Sequence, residues 1–170
     1  MNAKRDFLNS GATEARRQVG TGVTREARMT IAAILKSVDH DVVTIAPRAS
    51  VAEAVALLGE RRIGAVPVIE GGRVVGIFSE RDVIRVLKDG GAAALEGPVS
   101  AAMTAPAVTV SRNDAVIAAL SLMTHRRIRH LPVLDGDALV GFVSIGDLVK
   151  YRIDRIEADA AAMRDYIQTA

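Results

Sequence analysis

Cysteine and tryptophan are absent from this chain of 170 residues, and only two tyrosines and three phenylalanines supply benzenoid rings. Without cysteine there is no disulfide, no zinc–thiolate site and no thiol nucleophile, and the chain is indifferent to the redox poise around it. So few rings, none interleaved with a basic run, leave no stacking platform for single-stranded nucleic acid. Charge of one sign is scarce as well. The 22 Lys and Arg nearly balance the 20 Asp and Glu, for a formal net charge of +2 and a pI near 9.3. That balance offers no general affinity for nucleic acid or acidic membranes. The longest uncharged stretch, 97–111, is 15 residues long and holds two prolines, too short and too broken to span a bilayer. The N-terminal region has no apolar run of the secretory kind. Its arginines hint at an organellar presequence, against which stand Asp6, Glu14 and Glu26. A cytoplasmic location is expected, with an organellar matrix as the other placement.

What is present is a repeat. Residues 43–86 align with 108–151 at a constant offset of 65 without a gap, and 15 of the 44 positions are identical. Chance gives roughly three, so the chain is a duplication. Each copy opens on a short β-rich run (41–45, 107–110). A helical stretch follows at 50–61, opened by the capping box Ser50-x-x-Glu53, and its counterpart runs from 113 or 114 to 126. Two apolar runs around Gly71-Gly72 and Gly136-Asp137 predict hairpins. A last helix follows at 80–88 and from 145 onward. A helical lead-in, Ile31-x-x-Ile34-Leu35 and Val99-x-x-Ala102-Met103, precedes each copy at an offset of 68. One such unit would bury too little surface alone, so the pair is expected to form one module. The spans are an N-terminal extension at 1–29, for which disorder is one expectation, a first repeat at 30–92, a second at 93–152, and a helical tail at 153–170.

Ser79-Glu80-Arg81-Asp82 and Ser144-Ile145-Gly146-Asp147 open the last helix of each copy. Free N–H groups and the positive dipole end of a helix suit a phosphate, and a carboxylate three residues on can accept both hydroxyls of a ribose. The plainer account is an ordinary capping box. Together with the β-α-β-β-α order, the hydrophobic-Pro-Val of the second strand and the Gly-hydrophobic-hydrophobic-Ser ending the third, these motifs resemble a cystathionine-β-synthase (CBS) domain pair, or Bateman module, over about residues 30–152. The resemblance implies an α+β fold of tandem repeats packed sheet to sheet with pseudo-twofold symmetry, plus a C-terminal helix. It also implies a nucleotide cleft. Asp82 and Asp147 would each hold a ribose, and Ser79 and Ser144 would contact ribose or phosphate, with Arg81 and Gly146 beside them. Thr44 and Thr109 would line the cleft, with backbone groups of Ile45 and Val110 reading the adenine. For the two threonines, β propensity is the plainer account. Ile63 and Ala65 in one copy match Ile128 and His130 in the other, where Arg129 adds charge. Basic residues at the positions of Arg129 and His130 bind phosphates in the γ subunits of AMP-activated protein kinase, to which this copy is similar. A solvated face is the alternative.

The expected ligand is AMP, ADP, ATP or NAD(H), in a non-catalytic regulatory module that works as a homodimer on an unknown protein partner. A protein–protein interaction scaffold with empty clefts is the alternative, and an enzyme fragment is a third reading. No catalytic residue and no metal site is expected. Asp39-His40-Asp41 lacks a further ligand, Gly20-Thr21-Gly22 lacks a preceding strand and a third glycine, and His125 and His130 have no matched nucleophile. In the tail, Val149, Ile153, Ile156, Ala160, Met163 and Ile167 recur at spacings of four and three. That is an apolar seam suited to a second helix, or to packing on the module itself.

Overall fold

The computed structural model describes residues 29–37 and 41–169. Apart from Met29, the N-terminal extension lies outside the described residues, as do Gly20-Thr21-Gly22 and Asp39-His40. In chain order come α1 (Ile31–Leu35), α2 (Val51–Arg61), β1 (Ala65–Glu70), β2 (Arg73–Ser79) and α3 (Glu80–Gly90). A 3-10 turn (Ala92–Glu96) then leads to α4 (Val99–Ala102), β3 (Val110–Ser111), α5 (Val116–Arg126), β4 (His130–Asp135), β5 (Ala138–Ser144) and α6 (Ile145–Thr169). β1 pairs antiparallel with β2 and β4 with β5, with the same irregularity after Val68 and Val133. The hairpins turn on Gly71, Gly72 and Gly136, all at positive φ, where a side chain would be strained.

Two expectations are corrected. The opening strands are shorter than the β-rich runs: only Ile45 bridges Val68, and only Val110–Ser111 pairs with β4, both in parallel. Pro47 removes a donor two residues beyond Ile45. Arg112 stands in its place in the second copy, where the ladder reaches one residue further. The second long helix starts at Val116 and not at 113 or 114. Asp114 instead accepts the backbone N–H of Ser111 (2.8 Å) and closes a turn ahead of the helix. Ala115 stands where the first copy has Ser50, whose hydroxyl accepts from Glu53 N–H at 3.1 Å, so α5 has no side-chain cap.

The lead-in helices are exchanged. Ile31 and Ile34 of α1 are buried with Val110, Val116, Met123, Leu131 and Leu148, while Val99 and Ala102 of α4 are buried with Val51, Leu58, Val66 and Phe78. The backbone repeats the exchange symmetrically. Ile31 N–H reaches Asp114 C=O (3.0 Å) as Val99 N–H reaches Ala49 C=O (2.8 Å), and Val116 N–H reaches Met29 C=O (2.8 Å) as Val51 N–H reaches Gly97 C=O (2.9 Å). Each buried Ile or Val is worth about 1.5–3 kcal/mol, so neither sequence span carries a whole core.

Gly76 and Gly141 make room for this exchange. A Cβ at Gly76 would stand 2.6 Å from Met103 Sδ and 3.0 Å from Thr104 O; at Gly141 it would stand 2.5 Å from Leu35 Cδ2. Alanine normally stabilises a strand relative to glycine by about 0.5–1 kcal/mol. At Gly76 the neighbours include backbone, the Thr104 carbonyl fixed by the Ile77–Thr104 bridge, so a turn of Met103 alone cannot clear the space and overpacking of about 1–3 kcal/mol should win. Gly76→Ala is therefore expected to lower Tm by about 2–4 °C per kcal/mol. Gly141→Ala should cost less, because the end of Leu35 can turn away. Equal melting points for Gly76→Ala and the parent would refute this account.

α6 runs for 25 residues without a break at the expected tail boundary. Its first turns bury Leu148, and beyond them the Ala-rich sequence keeps it helical by propensity. Among the described residues no helix is long and apolar enough to cross a membrane.

Candidate functional site

The two hairpins meet along β2 and β5, and the motif residues gather at this seam. The first N–H of α3 donates to Gly64 C=O (3.1 Å), and that of α6 donates to Arg129 C=O (2.8 Å). Each last helix is thus pinned to the residue that precedes the second strand of its own repeat. This brings Ile63, Ala65, Ser79, Arg81 and Asp82 together in one half, and Ile128, Arg129, His130, Ser144, Gly146 and Asp147 in the other. Arg81 reaches across the seam and donates to Arg127 C=O at 3.0 Å. That carbonyl is presented by a left-handed residue, φ 55°.

Both Ser-x-x-Asp motifs are capping boxes. Ser79 N–H and Oγ–H donate to Asp82 Oδ2 at 2.9 and 2.7 Å, and Ser144 N–H and Oγ–H donate to Asp147 Oδ2 at 2.8 and 2.7 Å. Asp147 N–H returns a bond to Ser144 Oγ at 3.2 Å. Gly146 N–H remains in the first turn of α6 with no partner among the described residues, at the positive end of the helix dipole.

His130 is half-buried and stacks on Phe142, with centroids 5.5 Å apart and planes 10° from parallel. It lies against Gly64, where a Cβ would stand 3.4 Å from His130 Cε1 and 3.5 Å from Glu80 Oε2. Burial pushes the His130 pKa below its ordinary value, helped by Arg129 and opposed by Asp147 and Glu80. A lowered pKa leaves this ring less of the positive charge that attracts a phosphate. Arg129, by contrast, is exposed.

The opening strands stand apart from this gathering. Ile45 spends both backbone groups on the sheet: its N–H on Pro67 C=O (3.1 Å) and its C=O on Ile69 N–H (2.9 Å). Val110 occupies the same register opposite Val133 and is buried. Backbone reading of a base there would fall to the flanking residues, which face the other way in a parallel pair. Thr44 is exposed and Thr109 half-buried, and neither side chain hydrogen-bonds within the described residues.

Residues that the motifs did not single out complete the surroundings. Arg85 and Thr104 converge on Asp82. Asp147 instead borders a cleft of about 530 Å³, lined also by Ser37, Lys150, Tyr151, Asp154 and Arg155. That is the size of a small-ligand site, and both signs of charge line it. No cluster of three His, Asp or Glu among the described residues could hold a metal. The offset of 65 marks Arg85 and Lys150 as counterparts in the sequence; nothing local marks Thr104 or Ser37, which arrive with the exchanged lead-ins.

A family model for the CBS domain matches twice, at residues 33–89 and 99–154. The CBS domain-containing protein YhcV of Bacillus subtilis is 33% identical over 71% of this chain and 85% of its own length. Among solved structures, the CBS-domain containing protein ATU1752 of Agrobacterium tumefaciens is 40% identical with a TM-score of 0.70, covering 72% of this chain and 98% of that one. CBSX2, crystallised in complex with AMP, is 25% identical with a TM-score of 0.59, covering 67% of this chain and 89% of its own.

Proposed function

The chain belongs to the CBS-domain family, and from that premise we propose that it is a regulatory module that binds an adenine nucleotide between its repeats and catalyses nothing itself. The observation that carries this reading is Asp147. Its Oδ2 is fixed by the cap, its Oδ1 takes no bond from any described residue, and it borders an open cleft. A ribose would donate its two hydroxyls to that carboxylate. Its phosphate would meet Gly146 N–H at the helix N-terminus and the exposed guanidinium of Arg129, which suits bidentate contact. The AMP found in CBSX2 supports the ligand class; ADP, ATP and NAD(H) share the same adenosine. The module acts in the cytoplasm or an organellar matrix, and its nucleotide-dependent geometry is read by a regulated protein partner.

The working form is a homodimer. Val149, Ile153, Ile156, Met163 and Ile167 of α6 are between 41% and 68% exposed among the described residues, which supports a seam open to a second copy. Arg152 and Glu157 flank it five residues apart, the spacing at which opposite charges meet across two parallel helices.

Thermal melting with AMP, ATP and NADH tests the ligand class. At ten times its dissociation constant a ligand should add about 1.4 kcal/mol of stability, or about 3–6 °C in Tm. If none of the three shifts the melt up to millimolar concentration, the scaffold with empty clefts replaces this reading.

A further inference from the structure

The two Ser-x-x-Asp motifs share sequence and cap geometry but not surroundings. Asp82 is only 5% exposed. Besides its two bonds from Ser79, its Oδ1 accepts from Arg85 at 2.8 Å and from Thr104 Oγ1 at 3.3 Å. Arg85 also donates to Ala102 C=O, so the guanidinium ties α3 to the lead-in of the other repeat. Asp147 is half-buried, and its Oδ1 accepts from no described residue. The differences follow from the sequence. Lys150 stands where the first copy has Arg85, Lys36 where the second lead-in has Thr104, and Gly146 where the first copy has Arg81. A flexible ammonium on Lys150 lacks the planar fork with which Arg85 spans a carboxylate and a carbonyl at once. On the first-copy side Arg81 also straps the seam to Arg127, whereas glycine leaves the second side open.

We propose that the chain holds one nucleotide, at Asp147, and that Asp82 is a closed joint, locked by Arg85 and Thr104 so that its motif joins the repeats and binds no ribose. This rests on the nucleotide reading above. A ribose entering at Asp82 would have to displace a charge-assisted bond and a hydroxyl from the same oxygen; at Asp147 it displaces neither.

Calorimetric titration with AMP decides it. The parent should bind one AMP per chain, and Asp82→Asn should still bind one, with an affinity within twofold of the parent. Arg85→Lys, which gives the first copy the second copy's residue, and the double variant Arg85→Ala/Thr104→Val should each raise the stoichiometry towards two. Melting of each ligand-free variant checks that it is folded; if the double variant is not, Arg85→Lys decides alone. Two sites of similar affinity in the parent, loss of binding in Asp82→Asn, or a single site in every folded variant overturns the closed joint while leaving nucleotide binding in place. If the titration, repeated with ATP and NADH, finds none of the three nucleotides bound by any of these proteins, the nucleotide reading falls and this inference with it.

Discussion

Ile156→Asp should convert the dimer to monomers at micromolar concentration while leaving the fold of each module intact. Ile156 is 56% exposed in the single chain, so an interface can still bury about half of its side chain, worth about 1 kcal/mol in each copy. An aspartate in its place must also lose water without a partner, at about 1–3 kcal/mol or more. Counted over both copies, the association constant should fall by about 1,000-fold or more. The same substitution should barely alter melting of the monomer, because nothing in the module's two cores rests on that side chain. Sedimentation over a concentration series separates the outcomes: an unchanged dimer would remove the seam from the interface. In that case the exposed Ile84, Leu87 and Ile117 would be the next faces to test.

The sequence was most legible where its signals are local. Ser50 and Glu53 announce a helix start because the box closes within one turn, and both bonds are present. The glycine turns and the alternation around Pro67 and Pro132 mark hairpins for the same reason. Local polar residues also misled: Asn113 and Asp114 look like caps but serve a turn, because the true cap position holds Ala115. The exchange of lead-ins was out of reach, since the 3.6-residue pattern of Ile31 and Ile34 says that a face is buried but not beneath what. Gly76 and Gly141 acquire their meaning only from that exchange. The candidate site divides in the same way. Both cap pairs could be read off three-residue spacings, yet whether Asp82 or Asp147 has an oxygen to spare depends on Thr104, 22 residues away, and on a carbonyl 17 residues from Arg85. Identical motifs therefore carried identical expectations for two carboxylates that the fold makes different.

Asp147→Asn should weaken nucleotide binding by about 10- to 150-fold, the equivalent of about 1.5–3 kcal/mol for a hydrogen-bonded charge, with little change in the stability of the ligand-free protein. The cap dictates this result. Ser144 offers two donors to one carboxylate oxygen, at 2.8 and 2.7 Å. An asparagine must turn its carbonyl oxygen to that position to keep them, and an amide can serve as the third-residue partner of a capping box as a carboxylate does. Its NH2 group then faces the cleft, a donor where a ribose hydroxyl pair needs an acceptor. Asp147→Ala would also lose the two bonds from Ser144, at about 0.5–1.5 kcal/mol each, and so would confuse folding with binding; Asn keeps them apart. Titration calorimetry with AMP, read beside melting of the ligand-free proteins, checks both halves. Parent-like affinity in Asp147→Asn would make Asp147 a helix cap and nothing more. Lost affinity with an unchanged melt would place its second oxygen on the ligand.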